Sequence, residues 1–412
     1  MEWQAGTGQY KWNKAVAAVF LNISIPKVCF FASRFVSLAG HNEIGTLLCV
    51  PDFLKGVDAM GKERRRVSRT LRAARMAVIV LLFGFILGSA GGGAMAASQA
   101  RTLVPVGRAV GIKLFSDGVL VVGLSDIDTE TGKAAPAKAC GLKEGDIITH
   151  INSEEVDTIE QVQSVLNDLE DDQISIRCLR GEKQIQMTTQ AVRCSGDGSY
   201  KLGAWIRDSM AGIGTMTFYD PASGTFGALG HGISDSDTSV LMPLQSGGIM
   251  KASVTDVIKG TKGAPGALQG AFEGGDVGSL QANTAAGVFG TLSDTSCVEG
   301  LPSMQIASPT ETKLGPATIL SAVQGEEAAE YEVEITRICL SDDGDLRDMM
   351  LTVTDSRLLE RTGGIVQGMS GSPIIQDGKL VGAVTHVLVN DPTRGYGIFI
   401  ENMLEAAGNS IN

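Results

Sequence analysis

Ser370 is the residue most ready for chemistry. It stands in Gly363-Gly364-Ile365-Val366-Gln367-Gly368-Met369-Ser370-Gly371-Ser372-Pro373, a run of small residues followed by Gly382-Ala383-Val384-Thr385-His386. Glycine on either side permits a tight, exposed turn. In such a turn the amides of Gly368 and Ser370 converge in front of Ser370 Oγ. That supplies an attacking oxygen together with donors for the oxyanion that forms in acyl transfer. Ser372 is the weaker candidate. It precedes Pro373, which biases it to extended backbone at a strand entry, and no glycine lies two residues upstream. The same string also suits a plain Gly/Ser hairpin between strands, so the base decides.

Histidine is scarce: His41, His150, His231 and His386 are all there are. A serine nucleophile needs a base with a pKa near neutrality. His41 precedes an apolar segment and His150 falls in a separate module. His231 lies in Gly227-Ala228-Leu229-Gly230-His231-Gly232-Ile233-Ser234-Asp235, where a small-residue strand ends on a glycine-flanked ring free to swing toward a partner. It is the expected base. His386 sits in an apolar strand beyond the serine and is expected to line the first specificity pocket, with a packed core histidine as the other reading. An orienting carboxylate would complete the set. The residues alone leave three open. Asp235 is close enough to His231 to cap the turn after it. Asp294 lies between base and nucleophile in an ordinary turn setting. Asp355, in Thr354-Asp355-Ser356-Arg357, also suits a helix N-cap.

Gly368-Met369-Ser370-Gly371-Ser372-Pro373 resembles the Gly-Asp-Ser-Gly-Gly-Pro signature of chymotrypsin-like serine proteases, with Met369 in place of the Asp. Together with Gly230 through Asp235 and Gly382 through His386, it resembles the stage IV sporulation protein B peptidase family. These are serine peptidases of endospore formers with an N-terminal membrane segment, a PDZ domain and a chymotrypsin-like peptidase domain. The likeness runs from about Arg64 to the C-terminus. Carried over by position, it implies His231 as base, Ser370 as nucleophile and Asp355 as the third member. It implies protein substrates: regulators held in the space between the two membranes around the forespore. Their cleavage would release an intramembrane metalloprotease that matures the late mother-cell sigma factor; self-cleavage fits the same chemistry. No metal or organic cofactor is implied. Two other readings compete: an exported quality-control PDZ protease of the HtrA kind, and a non-catalytic PDZ scaffold with a dead barrel. Having both His231 and a glycine-flanked Ser370 argues against the scaffold.

The elements that must position these residues read as mainly β. There are 52 glycines and only 5% aromatics, and short β-branched runs alternate with turn residues. Leu103 through Leu114 and Gly118 through Gly123 read as strands. They lead into Ala137-Lys138-Ala139-Cys140-Gly141-Leu142-Lys143-Glu144-Gly145-Asp146-Ile147-Ile148, then Ile151-Asn152. A helix-period segment from Ile159 to Leu169 and a strand from Gln173 to Leu179 follow. This run resembles a PDZ domain, which would hold a peptide C-terminus as an added edge strand; by position the carboxylate loop is Gly111-Ile112. Ser195 to Ser199 reads as the linker to a peptidase domain of two β-barrels, in which Gly260 to Gly275 is either a mobile flap or a plain surface loop. Tyr331 to Ile335 alternates as a half-buried strand does.

Residues 1–75 carry 12 Lys and Arg against 5 Asp and Glu, and residues 76–97 carry none, leaving 22 against 41 for the remainder. A basic end, an apolar run from Met76 to Gly88 and an acidic body predict an exported protein, membrane-associated or secreted, with its positive end in the cytoplasm. The acidic body excludes nucleic acid as a partner. Ala94-Met95-Ala96 is a possible cleavage site, and cleaved signal and retained anchor stay open. A signal normally starts a chain, so translation is expected to begin at Met60 and residues 1–59 to be a non-native extension. The expected organisation is therefore 1–59 extension, 60–100 basic and membrane segment, 101–195 PDZ domain and 196–412 peptidase domain. Five of the seven cysteines lie beyond the apolar run; buried thiols fit them better than bridges such as Cys178–Cys194 or Cys297–Cys339. No CxxC occurs, so no structural zinc is expected.

Overall fold

The computed structural model describes residues 101–340 and 344–411. The expected extension of residues 1–59 and the basic and apolar segment of residues 60–100 lie outside the described residues.

Strand β1 (Ala109–Leu124) is long enough to serve two bodies. Its second half pairs with β2 (Ile147–Ile151), which is followed across the sheet by β3 (Gln173–Arg180) and β4 (Lys183–Gln190). The short helix α1 (Pro136–Ala139) and helix α2 (Ile159–Asn167) belong to the same body. Thr158 starts α2 with a capping box: its hydroxyl accepts from the Gln161 amide while the Gln161 side chain accepts from the Thr158 amide. Val162, Val165 and Leu166 then recur at helical spacing and bury against Val119, Val121, Ile148, Ile151, Ile174 and Ile176. The predicted helix and strand are both found here.

The chain returns along β1 in β5 (Ala204–Asp220), antiparallel, from Ala204 opposite Leu124 to Thr215 opposite Ala109. Ser195 to Ser199 is the turn of a small hairpin, Val192–Arg193 with Tyr200–Lys201, rather than a free connection. The two bodies are joined by the β1–β5 ribbon itself. A ribbon of two long paired strands bends far less than a glycine-serine linker, because its backbone groups are committed to each other.

Beyond that ribbon, β6 (Thr225–Ala228), β7 (Ser246–Ile258), β8 (Ala267–Thr284) and β9 (Gly287–Leu292) close a first ring. β1 pairs with β5, β5 with β6, β6 with β9, β9 with β8, β8 with β7, and β7 returns to β1. A second closed barrel is made by β10 (Gly315–Ser321), β11 (Ala329–Ile338), β12 (Met349–Val353), β13 (Pro373–Gln376), β14 (Lys379–Leu388) and β15 (Asp391–Phe399). β11 shows why: Tyr331, Val333 and Ile335 face inward while Glu330, Glu332 and Glu334 face water, the period of two that closes an antiparallel barrel. Between the rings, Phe218 and Phe289 of the first meet Leu380, Ala383 and Ile398 of the second, and helix α4 (Ile400–Ile411) adds Ile400 and Met403. Burying each phenylalanine is worth roughly 1.5–3 kcal/mol, so the junction is held by apolar area. Helix α3 (Ser356–Thr362) leads out of β12 toward Ser370. All five cysteines of the described residues are free thiols, and neither bridge forms.

Candidate active site

Ser370 lies in the loop between α3 and β13, on the second barrel. The loop is stitched on all sides. Met369 buries its side chain completely in the second core and its amide donates to Val366 O at 3.1 Å. Gly371 N donates to Val384 O at 2.7 Å, and Ser372 N to Met369 O at 3.0 Å. Gly371 takes φ +95°, and a Cβ there would stand 2.1 Å from Thr215 O, so no other residue fits. From the first barrel, Thr215 N donates to Ser370 O at 3.0 Å and Thr215 Oγ1 to Gly368 O at 2.8 Å. Of the segment read as a flap or a plain surface loop, residues 260–266 lie in the β7–β8 hairpin tip and 267–275 in the start of β8, and the segment is tied to the same loop. Leu268 N donates to Gln367 O at 2.8 Å and Gln367 N to Gly266 O at 3.2 Å.

Against this network two amides stand out. Those of Gly368 and Ser370 have no acceptor among the described residues, although the amide of Met369 between them does. Gly368 is at φ +96°, which turns its peptide groups against the run of the chain. Both residues line a cleft of about 750 Å³ that also holds His231 and His386. Two unpaired donors beside a hydroxyl are what an acyl oxyanion requires.

His231 follows β6 on the first barrel, so the cleft runs between the two rings. Its Nδ1 lies 2.9 Å from Gly232 O. A carbonyl accepts only, so Nδ1 carries the proton and Nε2 is left as the free base. Burial depresses the pKa of His231 below the usual imidazole range, with the Gly232 carbonyl opposing. The His386 ring stacks on it at 4.8 Å between centroids, tilted by 35°. Burial, then the neighbouring His231 and Arg347, push His386 down to about 4. His386 thus touches the expected base as well as the cleft. No hydrogen bond joins Ser370 Oγ to His231 among the described residues; such bonds often tighten only when substrate binds.

The three candidate carboxylates are engaged elsewhere. Asp355 is the N-cap of α3: it accepts from Arg357 N at 2.8 Å, Leu358 N at 3.4 Å and Glu332 N at 3.3 Å. The Arg357 guanidinium, 2.7 Å away, is the main cause of its pKa falling to about 2. It neither bonds His231 nor lines the cleft, so the structure does not bring the expected third member to the base. Asp235 is buried against Arg207 and caps its own turn through Thr238 N at 2.8 Å. Asp294 caps the turn at Thr295–Cys297. A carboxylate that does share a cavity with His231 is Asp345, in a space of about 390 Å³ with Arg347, Thr385 and His386. It sits 2.8 Å from Arg347. The acidic string Asp342-Asp343-Gly344-Asp345 was the available signal, and nothing in its spacing points to a histidine more than a hundred residues upstream.

Asp355 is therefore expected to act through α3, the helix that delivers the Ser370 loop. Asp355→Asn keeps a capping oxygen and should lower turnover less than about tenfold, whereas removing a carboxylate that holds the imidazolium costs on the order of 10⁴. Asp355→Ala should cost about 0.5–2 kcal/mol of stability. Because its folded pKa lies below the unfolded value of 3.8, its contribution is complete above about pH 4 and is lost as pH falls toward 2. Urea melts of both variants at pH 7 and pH 3, beside steady-state rates, check this; a 10³-fold loss in Asp355→Asn would mean that Asp355 reaches His231 in the working enzyme.

The peptide-binding residues expected in the PDZ region are also placed differently. Gly111 pairs with Ile213 on one side and Met250 on the other, and Ile112 with Gly212 and Ile249. Both edges of that stretch are filled, so no peptide strand can add there. The open edge beside α2 belongs to β5. Its residues 204–207 pair with β1 alone among the described residues, Asp208 falls in a bulge, and Ile159 N at the start of α2 donates to Asp208 Oδ2 at 2.9 Å. The turn into it is Leu202-Gly203, with Gly203 at φ +75° and its Cβ position 2.4 Å from Ser125 O. The signal was present as Leu-Gly before Ala204-Trp205-Ile206, a stretch that sequence reading assigned to the peptidase domain.

With that geometry in hand, the SpoIVB peptidase S55 family model matches residues 198–404, and a PDZ-domain model matches residues 127–180. No curated protein matches the chain. Among solved structures, the chain is similar to the HtrA-type protease AlgW with a decapeptide, at 12% identity over 50% of this chain and 53% of that one, TM-score 0.30. It is similar to the Rv3671c protease of M. tuberculosis in its active form, at 14% identity over 61% of this chain and 85% of that one, TM-score 0.29. It is similar also to the PDZ domain of an SdrC-like protein from Listeria monocytogenes, at 20% identity over 22% of this chain and 87% of that one, TM-score 0.18. The chain spans about half the length of AlgW.

Proposed function

The chain belongs to the SpoIVB peptidase S55 family of serine peptidases and carries a PDZ domain, and from that premise we propose that it is an exported sporulation endopeptidase with His231 as base, Ser370 as nucleophile and the amides of Gly368 and Ser370 as oxyanion donors. The observation that carries the reading is the pair of unbonded amides beside Ser370, in a cleft shared with a neutral imidazole. Base on one ring and nucleophile on the other supports a chymotrypsin-like plan. Ser370 Oγ attacks the scissile carbonyl as its proton passes to His231 Nε2. The tetrahedral oxyanion accepts from the two amides, and His231 returns the proton to the leaving amine. Water then repeats the sequence on the acyl-enzyme.

Its substrates are regulators of an intramembrane metalloprotease in the space between forespore and mother-cell membranes, and cleavage there licenses maturation of the late mother-cell sigma factor. The basic and apolar residues 60–97 would carry the body across the inner membrane and hold or release it there. The PDZ body would take a peptide along residues 204–208 of β5, beside α2. A fluorophosphonate should label Ser370 and no other serine, and a spore former bearing Ser370→Ala should accumulate unprocessed sigma factor. Unlabelled protein would reject the serine mechanism; labelled protein with normal sigma-factor maturation would reject the pathway.

A further inference from the structure

Thr215, on the first barrel, spends all three of its polar groups on the segments that carry Ser370 and His231. Its amide donates to Ser370 O at 3.0 Å, and its hydroxyl donates to Gly368 O at 2.8 Å. Its carbonyl accepts from Leu229 N at 3.2 Å, two residues before His231. The side chain is 1% exposed. The two carbonyls it holds belong to the two residues whose amides are left unbonded. We propose that Thr215 is a positioning residue that sets the oxyanion hole and fixes the distance between base and nucleophile.

Each peptide is planar, so anchoring Gly368 O fixes the plane containing the Met369 amide, and anchoring Ser370 O fixes that containing the Gly371 amide. Both of those amides are already bonded, to Val366 O and Val384 O. The planes before Gly368 and Ser370, which carry the two free donors, are anchored at their carbonyl ends by Leu268 N at 2.8 Å and Ser372 N at 3.0 Å, so the two Thr215 bonds complete a loop in which each peptide plane from Gln367 to Gly371 is held. The hydroxyl bond is the one at risk. Gly368 is at φ +96°, with Leu268 Cβ 3.0 Å from where a Cβ would stand, and without a side chain of its own a glycine released from Thr215 Oγ1 has more backbone freedom to turn its peptide than any other residue. The Thr215 amide bond survives any side-chain substitution, so the hydroxyl can be tested alone. The same residue keeps Leu229, and with it the His231 corner, against the loop. Gly371 closes the arrangement, since any side chain there would strike Thr215 O.

This inference rests on Ser370 being the nucleophile, and the test separates the two. Thr215→Val keeps the shape and removes the hydroxyl; Thr215→Ser keeps the hydroxyl and removes a methyl. Each is reacted with a fluorophosphonate over a concentration series. In that reaction Ser370 Oγ bonds to phosphorus, fluoride leaves, the proton passes to His231 and the phosphoryl oxygen occupies the oxyanion hole. The maximal labelling rate per titrated site should fall roughly ten- to a hundredfold in Thr215→Val, below the 10²–10³ of deleting an oxyanion donor outright. The half-saturating concentration should stay within about twofold, and Thr215→Ser should recover most of the rate. A merely structural role would lower the fraction of titratable sites and leave the rate per site unchanged, and that result overturns the proposal. Equal rates in wild type and Thr215→Val overturn it too. A wild type that is not labelled at Ser370 overturns the serine mechanism itself and this inference with it.

Discussion

Replacing Ser370 with alanine should lower turnover by roughly 10⁴-fold or more and leave the melting temperature unchanged, while Ser372→Ala should stay within about threefold of wild type. The two serines stand two residues apart in opposite environments. Ser370 lines the cleft, and its hydroxyl carries none of the bonds that hold the loop, which engage the loop's own backbone groups. Removing it would delete the proposed attacking atom and little else. Ser372 is fully buried, and its Oγ has no hydrogen-bond partner. A buried, unpaired hydroxyl costs about 1–3 kcal/mol relative to one that is satisfied, so Ser372→Ala should hold or raise the melting temperature. Acyl-enzyme trapping followed by peptide mapping, with thermal melts of both variants, decides the matter. A trapped acyl group on Ser372, or an active Ser370→Ala, would reject the assignment.

The features legible in the sequence were those carried by local chemistry. Glycine spacing around Ser370 encodes the turn that leaves Gly368 and Ser370 amides unbonded, because only glycine tolerates the backbone at Gly368 and Gly371. Apolar alternation encodes β11, and Thr158 with Gln161 encodes the start of α2. Elimination among four histidines pointed to His231, which lines the same cleft as Ser370. What was hidden depends on contacts between distant segments. Thr215 lies 155 positions before Ser370, in a strand whose sequence reads like any other, and only ring closure brings it under the loop. The PDZ edge was misplaced for a similar reason. Position suggested Gly111-Ile112, but β1 is one continuous strand rather than two, and its first half is taken by the peptidase ring on both sides. The strand that fills the vacated place comes from beyond the hairpin at Ser195 to Ser199. Sequence reading of Asp355 carried both outcomes: its N-cap context is a local signal and is realised, whereas a bond to His231 is a tertiary matter.

His231→Ala should lower turnover by on the order of 10³-fold or more, and the wild-type acid limb of kcat/KM should lie below pH 6.5. As the proposed base, His231 must be neutral, with Nε2 bare and Nδ1 donating to Gly232 O. Burial disfavours the imidazolium and moves the pKa down from 6.5, so the neutral base persists to lower pH than an exposed histidine would allow. The stacked His386 adds to this in one direction only. With its own pKa near 4 it is uncharged at neutral pH, so there it lends the base an apolar face rather than a like charge. His386→Phe keeps that face and should leave the acid limb in place, whereas His386→Ala admits water and should move the limb back toward 6.5. The same sign governs stability. Both folded pKa values lie below the unfolded one, so the contribution is complete above about pH 6.5 and declines as pH falls through the folded values, because the unfolded chain then binds more protons. Profiles of kcat/KM from pH 4.5 to 8, with urea melts across the same range, test both statements. An acid limb at or above pH 6.5 would mean that His231 reaches a carboxylate when substrate binds. In that case Asp345, which already shares a cavity with the ring, is the residue to replace next.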